Sequence, residues 1–453
     1  MVISSVFYFF FGVLFYHIFH TFTIYGVEIL GKEIPALLLH GIRLIAILII
    51  FGINYQQWKD YFKKWKRGRI SAGILSIFAI FISYTLEGKT GIEIITGYKY
   101  CFQWIFIFLS FTMIGFFYQD KFHSQSFIVW IKYLLAITVI LGFFRQIGKI
   151  INPAFFEWLG YTQNLDIYQY GIKPSIYYLT EEAGTMRRQG LFAWPNNYGY
   201  FLIGFSPLAL LIFWIDWEKR KPLNLQKGVN LTLLLIWVLA MIFTLSRAVV
   251  IGWLIAIIGV MGNFLRKKKK ILIALIMGGI IVLWGLSIWK YDSTKEHFEK
   301  TFSSLSNVID QPLGYGLGES GPSYHHTGKF LPENYYIQIL LDTGTIGFLI
   351  RMFFMFQILR INIKIKKEAM KKDENSEEIL HFILFKRLQI GFFALLVIGF
   401  FLHVFEDSMV NYLFFGMYGI LTGKLSHLIK WEVTCCNPFS LKTLKEFNEK
   451  KGK

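Results

Sequence analysis

Apolar residues along this chain come in long blocks instead of alternating with polar ones. Blocks of roughly 20 mostly apolar residues, the length a helix needs to cross a bilayer, recur at 4–24, 36–54, 70–87, 98–118, 126–146, 197–215, 229–246, 247–265, 271–290, 333–359, 382–404 and 408–428. Each block must be helical, because a backbone facing lipid has to satisfy its own hydrogen bonds. The pattern therefore predicts an all-α polytopic membrane protein with about 12 transmembrane helices. Between the blocks lie short polar connections, with two exceptions. Residues 147–196 and 291–332 are long polar segments, and long loops in compact proteins are often functional. The chain thus divides into spans one to five over 1–146, a loop at 147–196, spans six to nine over 197–290, a loop at 291–332, spans ten to twelve over 333–428, and a basic tail at 429–453.

Charge gives these segments sides. With the N-terminus placed in the cytoplasm, the inner connections contain KKWKRGR, EKRKP, RKKKK and KIKKEAMKK. They hold well over 20 Lys and Arg, against about ten in the outer ones. That asymmetry places both termini inside and both long loops outside. The net charge of +18 is therefore read as a membrane signature, and a nucleic-acid partner is not expected.

Composition closes off other classes. Of 453 residues 55% are hydrophobic and 17% charged, where soluble proteins carry roughly 25% charged. One soluble core cannot absorb that much apolar surface. Cys101, Cys435 and Cys436 are too few for a disulfide framework and form no C-x-x-C zinc pair. The start, MVISSVFYFFFGVLFYHIFHTF, lacks a basic leader and a small-residue cleavage site, so it reads as a retained first span.

A few polar residues stand out against this background. Arg187 and Arg188 lie on the cation-poor side, either as exposed surface groups or as a planar fork for phosphate oxygens. Arg247 follows Ser246 between two apolar blocks, where an ionisable group is costly, as a snorkelling anchor or as a functional group. Glu333 and Asn334 follow Pro332 at the start of span ten. Glu333 is either a helix cap or an outer-surface general base. His325 and His326 are a further candidate pair. His403, Glu406 and Asp407 either line the same cavity or end a helix. The sequence has no D-x-D clamp and no cluster with metal spacing, so no metal and no cofactor is expected, and a metal-bound nucleotide sugar is not the expected donor.

Three motifs occur in order. R-x-x-G-x-x-x-x-P-N stands at Arg187, Gly190, Pro195 and Asn196; S-R at Ser246 and Arg247; P-E-N with a following G-x-x-G at Pro332, Glu333, Asn334, Gly344 and Gly347. With the span number and the late outer loop, the chain resembles the O-antigen polymerase and O-antigen ligase superfamily over residues 185–425. The resemblance implies a GT-C-like membrane glycosyltransferase of the bacterial cytoplasmic membrane. Its donor would be an undecaprenyl-pyrophosphate-linked oligosaccharide, used on the outer face without a metal. A chain-length regulator protein is an implied partner. Arg187, Arg188 and Arg247 would hold the pyrophosphate, with Asn334, His325 and His326 also binding substrate, and Glu333 would be the catalytic base. Ligases of the superfamily usually carry His where Glu333 stands, so the resemblance favours a repeat-unit polymerase. The alternatives are a ligase transferring glycan to lipid A core or another acceptor, and a transporter of lipid-linked glycan.

Overall fold

A computed structural model describes Lys89 and residues 97–426, with interruptions that include 163–175, 180–185, 219–224, 323–327, 370–376 and Glu406. The expected spans 4–24, 36–54 and 70–87, the tail at 429–453, and the candidates His325, His326 and Glu406 lie outside the described residues. The expected span 271–290 is described only at scattered positions.

The described part is helical, apart from one small hairpin. A π-helical turn at Tyr98–Phe102 leads into α1 (Gln103–Phe117), followed by α2 (Ser124–Ile151) and the short α3 (Pro153–Trp158). Strands β1 (Tyr178–Leu179) and β2 (Met186–Arg187) pair antiparallel, with Tyr178 opposite Arg187. Then come α4 (Pro195–Glu218), α5 (Leu225–Phe243), α6 (Arg247–Lys267), α7 (Tyr291–Asp310), α8 (Tyr335–Ala369) and α9 (Glu377–Ile398). A last segment runs as α10 (Ser408–Val410), a π-helical turn (Asn411–Phe415) and α11 (Gly416–Ser426). Among the described residues five stretches are long and apolar enough to cross a membrane: Tyr98–Phe117, Ser126–Ile151, Pro195–Phe213, Tyr335–Arg360 and Glu377–Ile398. Shorter apolar helices cover Lys227–Phe243 and Arg247–Gly262. The protein is an all-α polytopic membrane protein.

The helices meet through aromatic rings and glycines. Trp104 is fully buried between Phe405 and Phe415, at ring separations of 5.3 and 5.0 Å, and its indole N–H donates to the Tyr335 hydroxyl at 2.9 Å. Without water to drive them together, membrane helices gain from close backbone approach at small residues. Here α1 and α11 approach so closely that a Cβ on Gly419 would strike the Phe108 carbonyl, and one on Gly423 the Thr112 carbonyl. We expect Gly419→Val to force the two helices apart and cost about 1–3 kcal/mol. A lowered melting temperature of the detergent-solubilised protein, read by loss of the monodisperse peak, checks this.

One departure from regular helix positions the site. The sequence reads residues 333–359 as one uninterrupted span, but α8 breaks at Gly344, whose φ of 64° and ψ of −176° are not helical. The glycine-rich strap 311–321 fills the break. The Tyr315 N–H donates to the Leu341 carbonyl at 2.6 Å, and the Thr345 N–H donates to the Pro312 carbonyl at 2.8 Å. The strap thus satisfies backbone groups that the broken helix would leave unpaired in lipid. Only glycine suits position 344, which combines positive φ with the Leu313 carbonyl lying where a Cβ would go. The Ser320 hydroxyl donates to Asp342 at 2.7 Å, and Glu319 pairs with Lys89 and, at 3.6 Å, with Lys329.

Candidate active site at one end of the bundle

The three candidate arginines converge on the turn between α5 and α6. This turn is tight: the Leu245 N–H donates to the Ile242 carbonyl at 3.0 Å, and Leu245 takes a φ of 50° that leucine rarely adopts. Arg187 closes the β1–β2 hairpin, and its Nε donates to the Thr244 carbonyl at 2.9 Å. Its second nitrogen donates to the Asn196 side-chain oxygen at 2.8 Å. The Arg188 backbone N–H donates to the Phe243 carbonyl at 2.8 Å, and its guanidinium lies 5.6 Å from the Phe243 ring centre. Arg247 is half-buried at the first residue of α6. The turn therefore takes contacts from Arg187 and Arg188 and carries Arg247 at its far end.

Glu333 stands just before α8 and faces α7. His297 Nδ1 is 2.5 Å from one of its oxygens, and Lys300 Nζ is 3.4 Å from the other. Burial works to raise this carboxyl, since it disfavours the charged form. The hydrogen bond and charge of His297, with the charges of His403 and Lys300, outweigh it and hold the group at about 2. For Lys300 burial also opposes the charge, and Glu296 at 2.6 Å together with Glu333 reverses that and raises it. His403 Nδ1 lies 2.9 Å from the Gln338 side-chain oxygen.

Asn334 is engaged in structure. Its side-chain oxygen accepts the N–H groups of Tyr336 and Ile337 at 2.9 and 3.1 Å, which caps α8. Its amide donates to the Phe400 carbonyl at 2.8 Å and ties α8 to the end of α9. The Tyr335 N–H completes that tie at the Gly399 carbonyl.

Hydrogen bonds lead from the α5–α6 turn to the α9–α10 connection, whose His403 acts on Glu333 through its charge. Asn196, which holds Arg187, is followed by Asn197, whose amide donates to Asp407 at 2.8 Å. Asp407 accepts the Val410 N–H at 2.8 Å as a cap, and burial pushes its carboxyl up. It follows His403 by one helical turn's worth of chain. Thus the starts of α4, α6 and α8, the end of α5 and the α9–α10 connection share one end of the bundle. Of the sequence candidates, Arg187, Arg188 and Arg247 meet at one turn, while Glu333, Asn334, His403 and Asp407 surround the adjoining helix ends.

His297, Lys300, Thr244 and Asn197 were not singled out from sequence. The first two sit on α7, inside the segment read as a loop, although its apolar residues at 291, 298, 302, 305 and 309 follow a helical period. Among the described residues no group of three or more His, Cys, Asp or Glu is placed to hold a metal. A groove of about 450 Å³ opens between α6, α8 and α9, against Ile255, Gly259, Leu359, Lys386 and Phe393. A second, of about 600 Å³, lies along α7. Neither is lined by the arginines or Glu333.

No protein-family model matches the chain, and no solved structure matches it. Among curated proteins it is 22% identical over 306 residues to a Salmonella muenchen protein named O-antigen polymerase, covering 63% of this chain and 71% of that protein. With its apolar helices and the three ordered motifs, the chain is thus a membrane protein similar, at low identity, to a protein named O-antigen polymerase.

Proposed function

We propose that the protein is a membrane glycosyltransferase that polymerises oligosaccharide repeat units carried on undecaprenyl pyrophosphate, at the outer face of the bacterial cytoplasmic membrane and without a metal. The observation that carries this reading is the meeting of Arg187, Arg188 and Arg247 at one turn, tied through Asn196, Asn197 and Asp407 to the helix ends around Glu333. Arginines spread charge over planar donors that match diphosphate oxygens. Thr244 and Asn196 fix the plane of the Arg187 guanidinium, which costs the site less reorganisation when charge develops.

The reaction is a single displacement. The acceptor sugar hydroxyl attacks the anomeric carbon of the lipid-linked donor, and its oxygen forms the new glycosidic bond. The bond from that carbon to the diphosphate oxygen breaks, and undecaprenyl pyrophosphate leaves with the electron pair beside the arginines. The hydroxyl proton goes to the His297–Glu333 pair. Glu333, held near 2, is a weak base alone. By accepting from His297 Nδ1–H, it leaves Nε2 as the proton acceptor. One displacement predicts inversion at the anomeric carbon. A chain-length regulator protein is the partner this activity calls for.

Purified protein incubated with lipid-linked repeat units and a chelator tests the reading. Chain growth, with undecaprenyl pyrophosphate released once per bond formed, is the expected result. Movement of the substrate across a vesicle membrane with no lengthening would mean transport. Transfer to lipid A core with no lengthening would mean ligation.

A further inference from the structure

Helix α7 carries a feature that glycosyl transfer does not use. Tyr291, Phe298, Phe302, Leu305 and Ile309 are 65, 59, 66, 40 and 74% exposed. At about 100° per residue these five project within roughly 60° of one another, so they form one stripe. Phe298 and Phe302 stack at 6.4 Å and 23°. On the other side of the same helix Ser304 is buried, and His297 and Lys300 reach Glu333. The helix cannot cross a membrane, because Lys295, Glu296, Glu299 and Lys300 interrupt it within two turns.

We propose that the stripe on α7 is seated in the phospholipid leaflet at the Glu333 end of the bundle, alongside α8. Three observations favour lipid as the occupant. First, α7 packs on α8, whose own outward residues Ile346, Leu349 and Phe353 are 50, 60 and 63% exposed on a helix apolar enough to cross a bilayer. The stripe therefore adjoins a lipid-facing surface, which exposed Leu313 extends beside Gly344 and exposed Phe400 and Phe401 extend beside Asn334. Second, an apolar stripe rich in aromatic rings with a charged opposite flank is the composition of helices that lie in the bilayer interface. Third, the groove along α7 is walled by Tyr291, Phe298 and Phe302, with Lys295 and Glu299 at its rim. That arrangement suits an acyl chain below and the phosphate and amine of a zwitterionic headgroup above. Seating the stripe in lipid fixes the height of His297 and Lys300 over Glu333. The inference depends on the helices crossing a membrane and not on the glycosyl-transfer reading.

The test uses the full chain, with Cys435 and Cys436 replaced by serine, reconstituted in phosphatidylethanolamine–phosphatidylglycerol vesicles. A fluorophore is attached at Phe302→Cys, at Ile309→Cys, and at Ser303→Cys on the polar flank. Doxyl-labelled phospholipid should reduce the emission from positions 302 and 309 by about twofold while aqueous iodide leaves it nearly unchanged, and position 303 should show the reverse. Quenching of 302 and 309 by iodide would place α7 in water and overturn the proposal. Protection from both quenchers would mean that protein covers the stripe, either a second copy or another part of this chain, and would overturn it equally.

Discussion

Replacing Glu333 by Gln is expected to lower polymerisation about 10²–10⁴-fold, the range over which a positioned proton acceptor accelerates transfer. His297→Ala should fall in the same range, because the two side chains act as one unit across a 2.5 Å contact. Their effects should not add: the double variant should be no slower than the poorer single one. Because its neighbours hold the carboxyl near 2, Glu333 stays ionised at any ordinary assay pH. The loss in Glu333→Gln should therefore not come from titration of Glu333 itself. The same depression gives a stability prediction. A carboxyl lowered by folding stabilises the fold above its ordinary range, and that contribution is lost as pH falls towards about 2. The packing of α7 on α8 should loosen over that acidic window. Single-turnover assays of the variants, with circular dichroism to confirm folding, check the first set. Labelling of α7 at falling pH checks the second.

Arg247→Ala should slow the reaction about 10²–10³-fold, corresponding to about 2.7–4 kcal/mol of transition-state stabilisation, by analogy with the loss of one preorganised donor to a developing anion. The same change at Arg187 should cost as much. It also strands the Thr244 carbonyl and the Asn196 side chain, which Arg187 now holds at 2.9 and 2.8 Å. Arg187→Lys keeps the charge but not the planar fork, and should recover only a small part of the rate. If the arginines serve mainly the leaving diphosphate, each variant should lose kcat more than it raises KM. A change confined to KM would assign them to ground-state binding.

Much of this architecture is legible in the sequence, because lipid leaves little choice. Residues 98–118 and 126–146 read as spans from hydropathy alone, and helices occupy both. What is not legible depends on partners far along the chain. Gly344 reads as one residue of an apolar block. It becomes a break only because Pro312, Leu313 and Tyr315 of the strap enter there. The convergence of the arginines is hidden for the same reason, since Thr244 and Asn196 show no motif of their own beside Arg187. Asn334 reads as a substrate ligand from its place in P-E-N, and its side chain proves to cap α8 and hold the end of α9. Helix α7 is legible as well. Its segment reads as a long outer loop, while the 3.6-residue period of its apolar stripe runs through it and places His297 on a different face from Phe298 and Phe302.

The central claim is that the cationic turn grips a diphosphate on the lipid carrier. Equilibrium binding of undecaprenyl pyrophosphate to the purified wild type, Arg187→Ala and Arg247→Ala in nanodiscs tests it without requiring turnover. Each loss of a charge-assisted contact, at about 1.5–3 kcal/mol, should weaken binding by about 10–150-fold. In Glu333→Gln, by contrast, it should stay close to wild type. Equal affinity in all four proteins would contradict the account.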